Sequence, residues 1–171
     1  MSNKPTSIMI DIESLSKKKT AVIVSIGACK FNDKEITDKF YINIDPLSCK
    51  EAGLHIQKDT IDWWKQQKPE AYAALKNNRH TLSEALTAFN EFFGKDKLDV
   101  WANSPSFDCV ILENAYEVTG IVKPWMFYQE MCFRTFKRLF SSDKKLLGTQ
   151  HDALADAIYQ TQYVLDVLNR K

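Results

Sequence analysis

The sequence predicts an α/β domain built on a mixed β-sheet flanked by helices, and three observations carry that prediction. Three β-rich runs follow one another before any strong helix signal. Later in the chain, runs with apolar residues at helical spacing alternate with further short strands. The order, βββ-α-α-β-α-β-α-α, holds no repeat, low-complexity segment or interdomain linker. It implies one domain over residues 1–171, with a core at about 7–168.

A first buried strand covers 7–12 and is followed by a polar loop, 13–20, with three consecutive lysines. Residues 21–31 form a long β-rich run, and Asn32-Asp33-Lys34 a turn. In 36–44, Phe40, Ile42 and Ile44 alternate with Lys39, Tyr41 and Asn43, before a turn at Asp45-Pro46. Three strands in succession make the second antiparallel to the first or the third. Residues 46–58 read as irregular. Asp59 then caps a helix that carries Ile61 and Trp64 up to Pro69, and 71–75 continues in register. Thr81-Leu82-Ser83-Glu84 is a capping box, Leu82, Leu86, Phe89, Phe92 and Phe93 line one helix face, and Gly94 stops that helix. A strand at 98–102 leads into a helix at 107–118 ended by Gly120. Residues 125–128 suit a short strand, 131–140 a helix and 141–148 a lysine-bearing loop. Thr149-Gln150-His151-Asp152 reads as a second capping box, opening a last helix with Leu154, Ala157, Ile158, Thr161, Leu165 and Leu168 at helical spacing.

At 171 residues the chain can bury a sizeable core, and its 44% apolar and 26% charged shares are those of a globular protein. With 23 basic and 22 acidic residues the net charge is +1, which excludes a strongly basic surface but leaves room for a locally basic cleft. Cys29, Cys49, Cys109 and Cys132 form no Cys-x-x-Cys or Cys/His cluster. This argues against structural zinc and suits free thiols in a reducing compartment. The N-terminus lacks the apolar core of a signal peptide, and the longest apolar run, 21–29, is too short to span a bilayer. The expectation is a cytoplasmic protein, bacterial or phage-encoded, without membrane association. A homodimer stays open, since no heptad or apolar stripe argues for one.

The chemistry lies in the carboxylates. Asp11 and Glu13, two residues apart, project from the same face of the first strand, roughly 6–7 Å apart along it. Two buried negative charges there are costly unless something cationic offsets them. An isolated Asp-x-Glu, however, is also what a strand running into a solvated loop presents. Asp108 falls in a helix's first turn just after a strand, where an acid complements the helix dipole. Asp156 lies about one and a half turns into the last helix, with His151 five residues earlier in its first turn, while Asp152 and Asp166 read as ordinary rim acids. Together Asp11-x-Glu13, Asn103-x4-Asp108 and His151-x4-Asp156 all sit at strand ends or helix starts, where open α/β sheets place their ligand crevice. Four carboxylates converging there make a hard, oxygen-rich site suited to Mg²⁺ or Mn²⁺, and two such ions would serve phosphodiester hydrolysis.

These segments resemble the three motifs of the DEDD 3′–5′ exonuclease superfamily, His subtype (DnaQ-like), on the ribonuclease-H-like fold. They are Asp11-Ile12-Glu13, Asn103-Ser104-Pro105-Ser106-Phe107-Asp108 and His151-Asp152-Ala153-Leu154-Ala155-Asp156. Within it, Thr60-Ile61-Asp62-Trp63-Trp64-Lys65-Gln66-Gln67 looks like the T-x-x-W-W-x-x-Q stretch of one branch, and Arg134-Thr135 with Leu139 is similar to the same branch. That branch includes exodeoxyribonuclease VIII, phage exonuclease A and a bacterial 3′–5′ exoribonuclease group. The chain departs at Ser104-Pro105, where relatives often carry a Gly-containing turn, but Pro105 suits a first helical position.

The resemblance implies a metal-dependent 3′–5′ exonuclease acting on DNA or RNA 3′ ends and releasing nucleoside 5′-monophosphates. Asp11, Glu13, Asp108 and Asp156 would hold two divalent ions, Mg²⁺ or Mn²⁺, and His151 would be the general base. Trp63 would stack on a terminal base, with Trp64 assigned to the core. Asn103, Arg134 and the loop lysines Lys17, Lys18 and Lys19 are candidate substrate contacts. Lys137, Arg138, Lys144 and Lys145 form a second basic group, and His55 and His80 read as structural or surface residues. The alternatives are an enzyme specific for RNA, or an inactive nucleic-acid-binding module on the same fold.

Overall fold

The computed structural model describes residues 4–143 and 151–170. Lys144, Lys145, Thr149 and Gln150 lie outside them. The chain runs β1 (Ser7–Ser14), β2 (Ile23–Phe31), β3 (Ile36–Ile44), α1 (Pro46–Glu51), α2 (Lys58–Trp64), α3 (Pro69–Ala74), β4 (Arg79–His80), α4 (Leu82–Phe93), β5 (Asp99–Ala102), α5 (Asp108–Thr119), β6 (Glu130–Cys132), α6 (Phe133–Leu139) and α7 (Ala153–Leu168). The strands form one mixed six-stranded sheet in the order β4-β3-β2-β1-β5-β6. β2 is antiparallel to both β1 and β3, whereas β5 runs parallel to β1 and to β6. No described helix is long and apolar enough to cross a membrane.

β1 sits near the middle of the sheet, and its alternation divides the core. Ile8, Ile10 and Ile12 face one side, with Phe89 and Phe93 of α4 and Leu112 of α5. Met9 faces the other, with Ala157 and Val164 of α7 and Phe133 of α6. Asp11 and Glu13 continue the Met9 side, so the strand period aims both acids at the α7 layer. Trp64 is buried in the first layer and donates from Nε1 to the Ser14 carbonyl at 3.0 Å.

Several elements depart from the sequence reading. β1 runs through Ser14 instead of ending at 12, because β2 keeps pairing with it, Asp11 opposite Gly27 and Glu13 opposite Ser25. Residues expected to be irregular contain α1, started by Pro46 behind the Asp45 cap, whose carboxylate accepts from Leu47 N–H at 3.2 Å. α2 begins at Lys58 with Gln57 before it, so Asp59 is a first-turn acid and not the cap. α3 is a separate helix opened by Pro69. The strand expected at 125–128 is a 3₁₀ turn, Phe127–Gln129, whose exposed aromatics imitate a strand signal; the strand follows at β6. α7 starts at Ala153, capped by Asp152, whose Oδ1 accepts from Ala155 N–H at 2.8 Å. His151 therefore precedes the helix, and Asp156 lies in its first turn.

Candidate active site

The site forms where β1 outruns its neighbour. The ladder between β1 and β5 stops at Ile10 and Ala102, leaving the Ile12 N–H without a strand partner on that side. The Asp108 carboxylate takes its place: Oδ1 accepts from Ile12 N–H at 3.4 Å, and Oδ2 from Ser104 N–H at 3.4 Å. Beyond the end of β5 opens a cavity of about 670 Å³, lined by Asp11, Glu13, Asn103, Asp108, His151 and Asp156. Lys17, Arg134, Lys137 and Tyr159 also line it. Such a place, outside the carboxyl ends of the strands, is where open α/β sheets bind ligands.

Three acids come together most closely. Asp11, Glu13 and Asp156 each offer an oxygen within 4.8 Å of the others, the one such cluster among the described residues. Asp108 lines the same cavity but stands outside that triplet, tied to the two backbone N–H groups. Among the described residues, no ion pair involves any of the four. Burial, then the charges of Asp108, Glu13 and Asp156, hold the Asp11 carboxyl well above the ordinary range. Burial, then Asp156 and Asp108, do the same to Glu13. Burial pushes Asp108 up to about 6 against the pull of its backbone N–H donors. Asp156 is raised by burial too, with the His151 backbone N–H and imidazole pulling the other way. The arrangement is an anionic floor with no ion-paired partner among the described residues, eased only in part by the Arg134 charge near Asp108 and His151 near Asp156.

Local backbone explains how α7 reaches it. At Gly27 of β2 a Cβ would overlap the Ala153 carbonyl carbon and the Leu154 amide nitrogen, so only glycine lets the start of α7 seat flush on the sheet. Gly27 pairs with Asp11, which places the first turn of α7, and Asp156 in it, over the acids of β1.

His151 has φ 64, in the left-handed region. Its ring lies edge-on to Trp63 at 4.7 Å and to Trp64 at 6.1 Å between centroids. Trp63, 40% exposed, borders a smaller recess of about 200 Å³ with Glu13, Thr60, Trp64 and Phe107, adjoining the main cavity along Ile12, Glu13, Lys17 and Phe107. Arg134 caps the end of β5 through its N–H to the Asn103 carbonyl, 3.1 Å. Lys18 and Lys19 are exposed and line neither recess, because the loop turns away after Lys17, whose N–H is held by Gln57 Oε1 at 2.8 Å. Of the second basic group, Lys137 reaches the cavity and bonds the Tyr159 hydroxyl at 3.2 Å, whereas Arg138 does not line it. Sequence reasoning missed Gln160, whose Nε2 donates to Asp11 Oδ1 at 2.9 Å. The available signal was its spacing, four residues after Asp156 and therefore on the same helix face.

A family model described as "3'-5' exoribonuclease Rv2179c-like domain" matches residues 6–168. The chain is similar to an exodeoxyribonuclease of Enterobacteria phage T4, with 27% identity over 120 residues covering 61% of this chain and 52% of that protein. Among solved structures it is similar to E. coli ExoI, in a zinc-bound complex with ssDNA, at a TM-score of 0.72 and 11% identity, over 96% of this chain and 40% of that one. It is also similar to the nuclease domain of 3'hExo, a DEDDh family member bound to rAMP, at a TM-score of 0.63 and 13% identity, over 92% and 88% of the two chains. The chain thus spans about half the length of the phage relative and less of ExoI. At these identities the structural likeness establishes the fold, which is the ribonuclease-H-like fold of the DEDDh exonucleases.

Proposed function

Because the chain belongs to the Rv2179c-like 3'-5' exoribonuclease domain family, we propose that it is a metal-dependent 3′–5′ exonuclease that releases nucleoside 5′-monophosphates from single-stranded 3′ ends. The observation that carries this reading is the convergence of Asp11, Glu13 and Asp156 within 4.8 Å on the floor of a cavity that also holds Asp108 and His151. The donor set fits divalent cations: the oxygens are hard, mutually repelling and not ion-paired to any described side chain. When bound by these four carboxylates, two Mg²⁺ or Mn²⁺ ions would supply the Lewis acidity that activates a water and stabilises the departing 3′-oxygen.

The remaining roles fall to the chain's own side chains. His151, at the cavity wall, takes the water's proton on an imidazole nitrogen, the side chain most often used for general base work. Its edge-on contact with Trp63 orients the ring. Trp63, beside the adjoining recess, stacks on the terminal base, which tolerates any sequence. Lys17 and Arg134 meet backbone phosphates, and Asn103 positions the end of the strand at the mouth of the cavity. The family description favours RNA, and RNA is the substrate proposed here; the phage likeness makes DNA the competitor to test.

The deciding experiment offers matched single-stranded RNA and DNA oligomers, labelled at either end, with and without Mg²⁺ or Mn²⁺, to the wild-type chain and to Asp156→Asn. Expected is ion-dependent loss of the 3′ label as mononucleotide, faster from RNA, with Asp156→Asn slower by about 10²-fold or more. Faster release from DNA would overturn the RNA preference alone. Binding without release under either ion would point instead to an inactive nucleic-acid-binding module.

A further inference from the structure

Gln160 is 5% exposed and lies one helical turn beyond Asp156 on α7. Its Nε2 donates to Asp11 Oδ1 at 2.9 Å. Among the described residues, no other group hydrogen-bonds the Asp11 side chain, which three neighbouring carboxylates repel. Asp108 is held by two backbone N–H groups, so without Gln160 the Asp11 carboxylate would be the freer of the two to rotate. A carboxylate that holds a cation must be ionised and can then only accept, which fixes the amide with its nitrogen toward Asp11, as in the 2.9 Å contact. The consequence is that Gln160 Oε1 is buried with no hydrogen-bond partner. An orphaned buried acceptor costs stability, and a leucine or methionine would fill similar space without it. An apolar side chain of similar size would fill the space but supply no donor to Asp11.

We propose that Gln160 is a positioning residue: by pinning one oxygen of Asp11 it fixes how that carboxylate is presented to a divalent cation shared with Glu13 and Asp156. This rests on the reading of the acidic cluster as a cation site. Groups that orient a metal ligand in this way commonly change metal affinity by 10–100-fold when removed.

The test is Mn²⁺ titration calorimetry on the full chain, wild-type against Gln160→Leu and Gln160→Met, with thermal melts of the metal-free proteins alongside. Two apolar replacements of different shape are used so that one misfolded variant does not remove the comparison. Expected is an Mn²⁺ affinity lower by about tenfold or more in the folded variants, with a metal-free melting temperature equal to or above wild type. Unchanged Mn²⁺ affinity with a lower melting temperature, the signature of a purely structural glutamine, overturns the positioning role and leaves the cation site standing. Absence of Mn²⁺ binding by the wild-type chain overturns both.

Discussion

His151 holds a backbone conformation that non-glycine residues seldom adopt, φ 64, and such strain concentrates at functional positions. It belongs to no helix, so its imidazole is placed by the Trp63 and Trp64 rings and by the start of α7, not by helical register. The side chain of His151, the proposed base, can be removed while its backbone N–H, which bonds Asp156, stays in place. His151→Ala is expected to lower turnover by about 10²–10⁴-fold while leaving Mn²⁺ affinity within about twofold of wild type. A His151→Ala rate close to wild type would remove His151 from the mechanism. Spacing alone put His151 near Asp156, but not the left-handed turn between them, because His and Asp at i and i+5 are equally compatible with one continuous helix. Gln160 was less legible still. A glutamine on a helix carries no local mark of a partner 149 positions away.

Among the elements, α7 and β2 decide whether the acids meet. Gly27 has an ordinary strand setting, and its requirement for glycine comes entirely from the Ala153 and Leu154 backbone lying on it. Gly27→Val is expected to force the first turn of α7 off the sheet, costing about 1–3 kcal/mol of stability and weakening Mn²⁺ binding at least tenfold as Asp156 leaves Asp11 and Glu13. Denaturant melts and Mn²⁺ titration check this together, and a Gly27→Val chain with wild-type Mn²⁺ affinity would show that the seating of α7 does not set the site. Helices α4 and α5 lay open in the sequence, because an apolar stripe at 3.6-residue spacing, the Thr81–Glu84 box and the stops at Gly94 and Gly120 are all local signals. β4 and β6 did not, since strands of two and three residues hold too few positions to show a period and exist only through pairing with β3 and β5.

Across the fold as a unit, the acidic floor ties stability to pH and to cations. Asp11, Glu13, Asp108 and Asp156 are all held above their ordinary values, with burial the first cause. Between the ordinary carboxylate range and the raised values, reaching about 6 for Asp108, the metal-free folded state binds more protons than the unfolded chain, so its stability falls as pH rises through that window. The metal-free protein is expected to melt lower at about pH 7.5 than at about pH 5.5, where unfolded carboxylates are ionised while the raised groups of the folded chain hold more protons. Saturating Mn²⁺ is expected to raise the melting temperature more at the higher pH, because at the lower one the ligands must first shed protons. An Mn²⁺-induced rise that is independent of pH, followed by calorimetric melting, would contradict this. Asp11→Asn, which removes one repelling charge, is expected to raise the metal-free melting temperature, about 2–4 °C for each kcal/mol relieved, while weakening Mn²⁺ binding. What can be read along the chain is everything with a short period or a short motif: the paired acids on one face of β1, the amphipathic helices, and three acidic segments in an order that resembles one nuclease superfamily. What the fold alone settles is which oxygens meet. That depends on β5 ending at Ala102, on α7 seating over Gly27, and on Gln160 reaching Asp11. Each is a contact between residues far apart in the chain, set by shape and burial that no neighbouring residue records. The result is that Asp108, equal to the other acids in the motif, is tied to backbone N–H groups, while Asp11, Glu13 and Asp156 form the tight cluster.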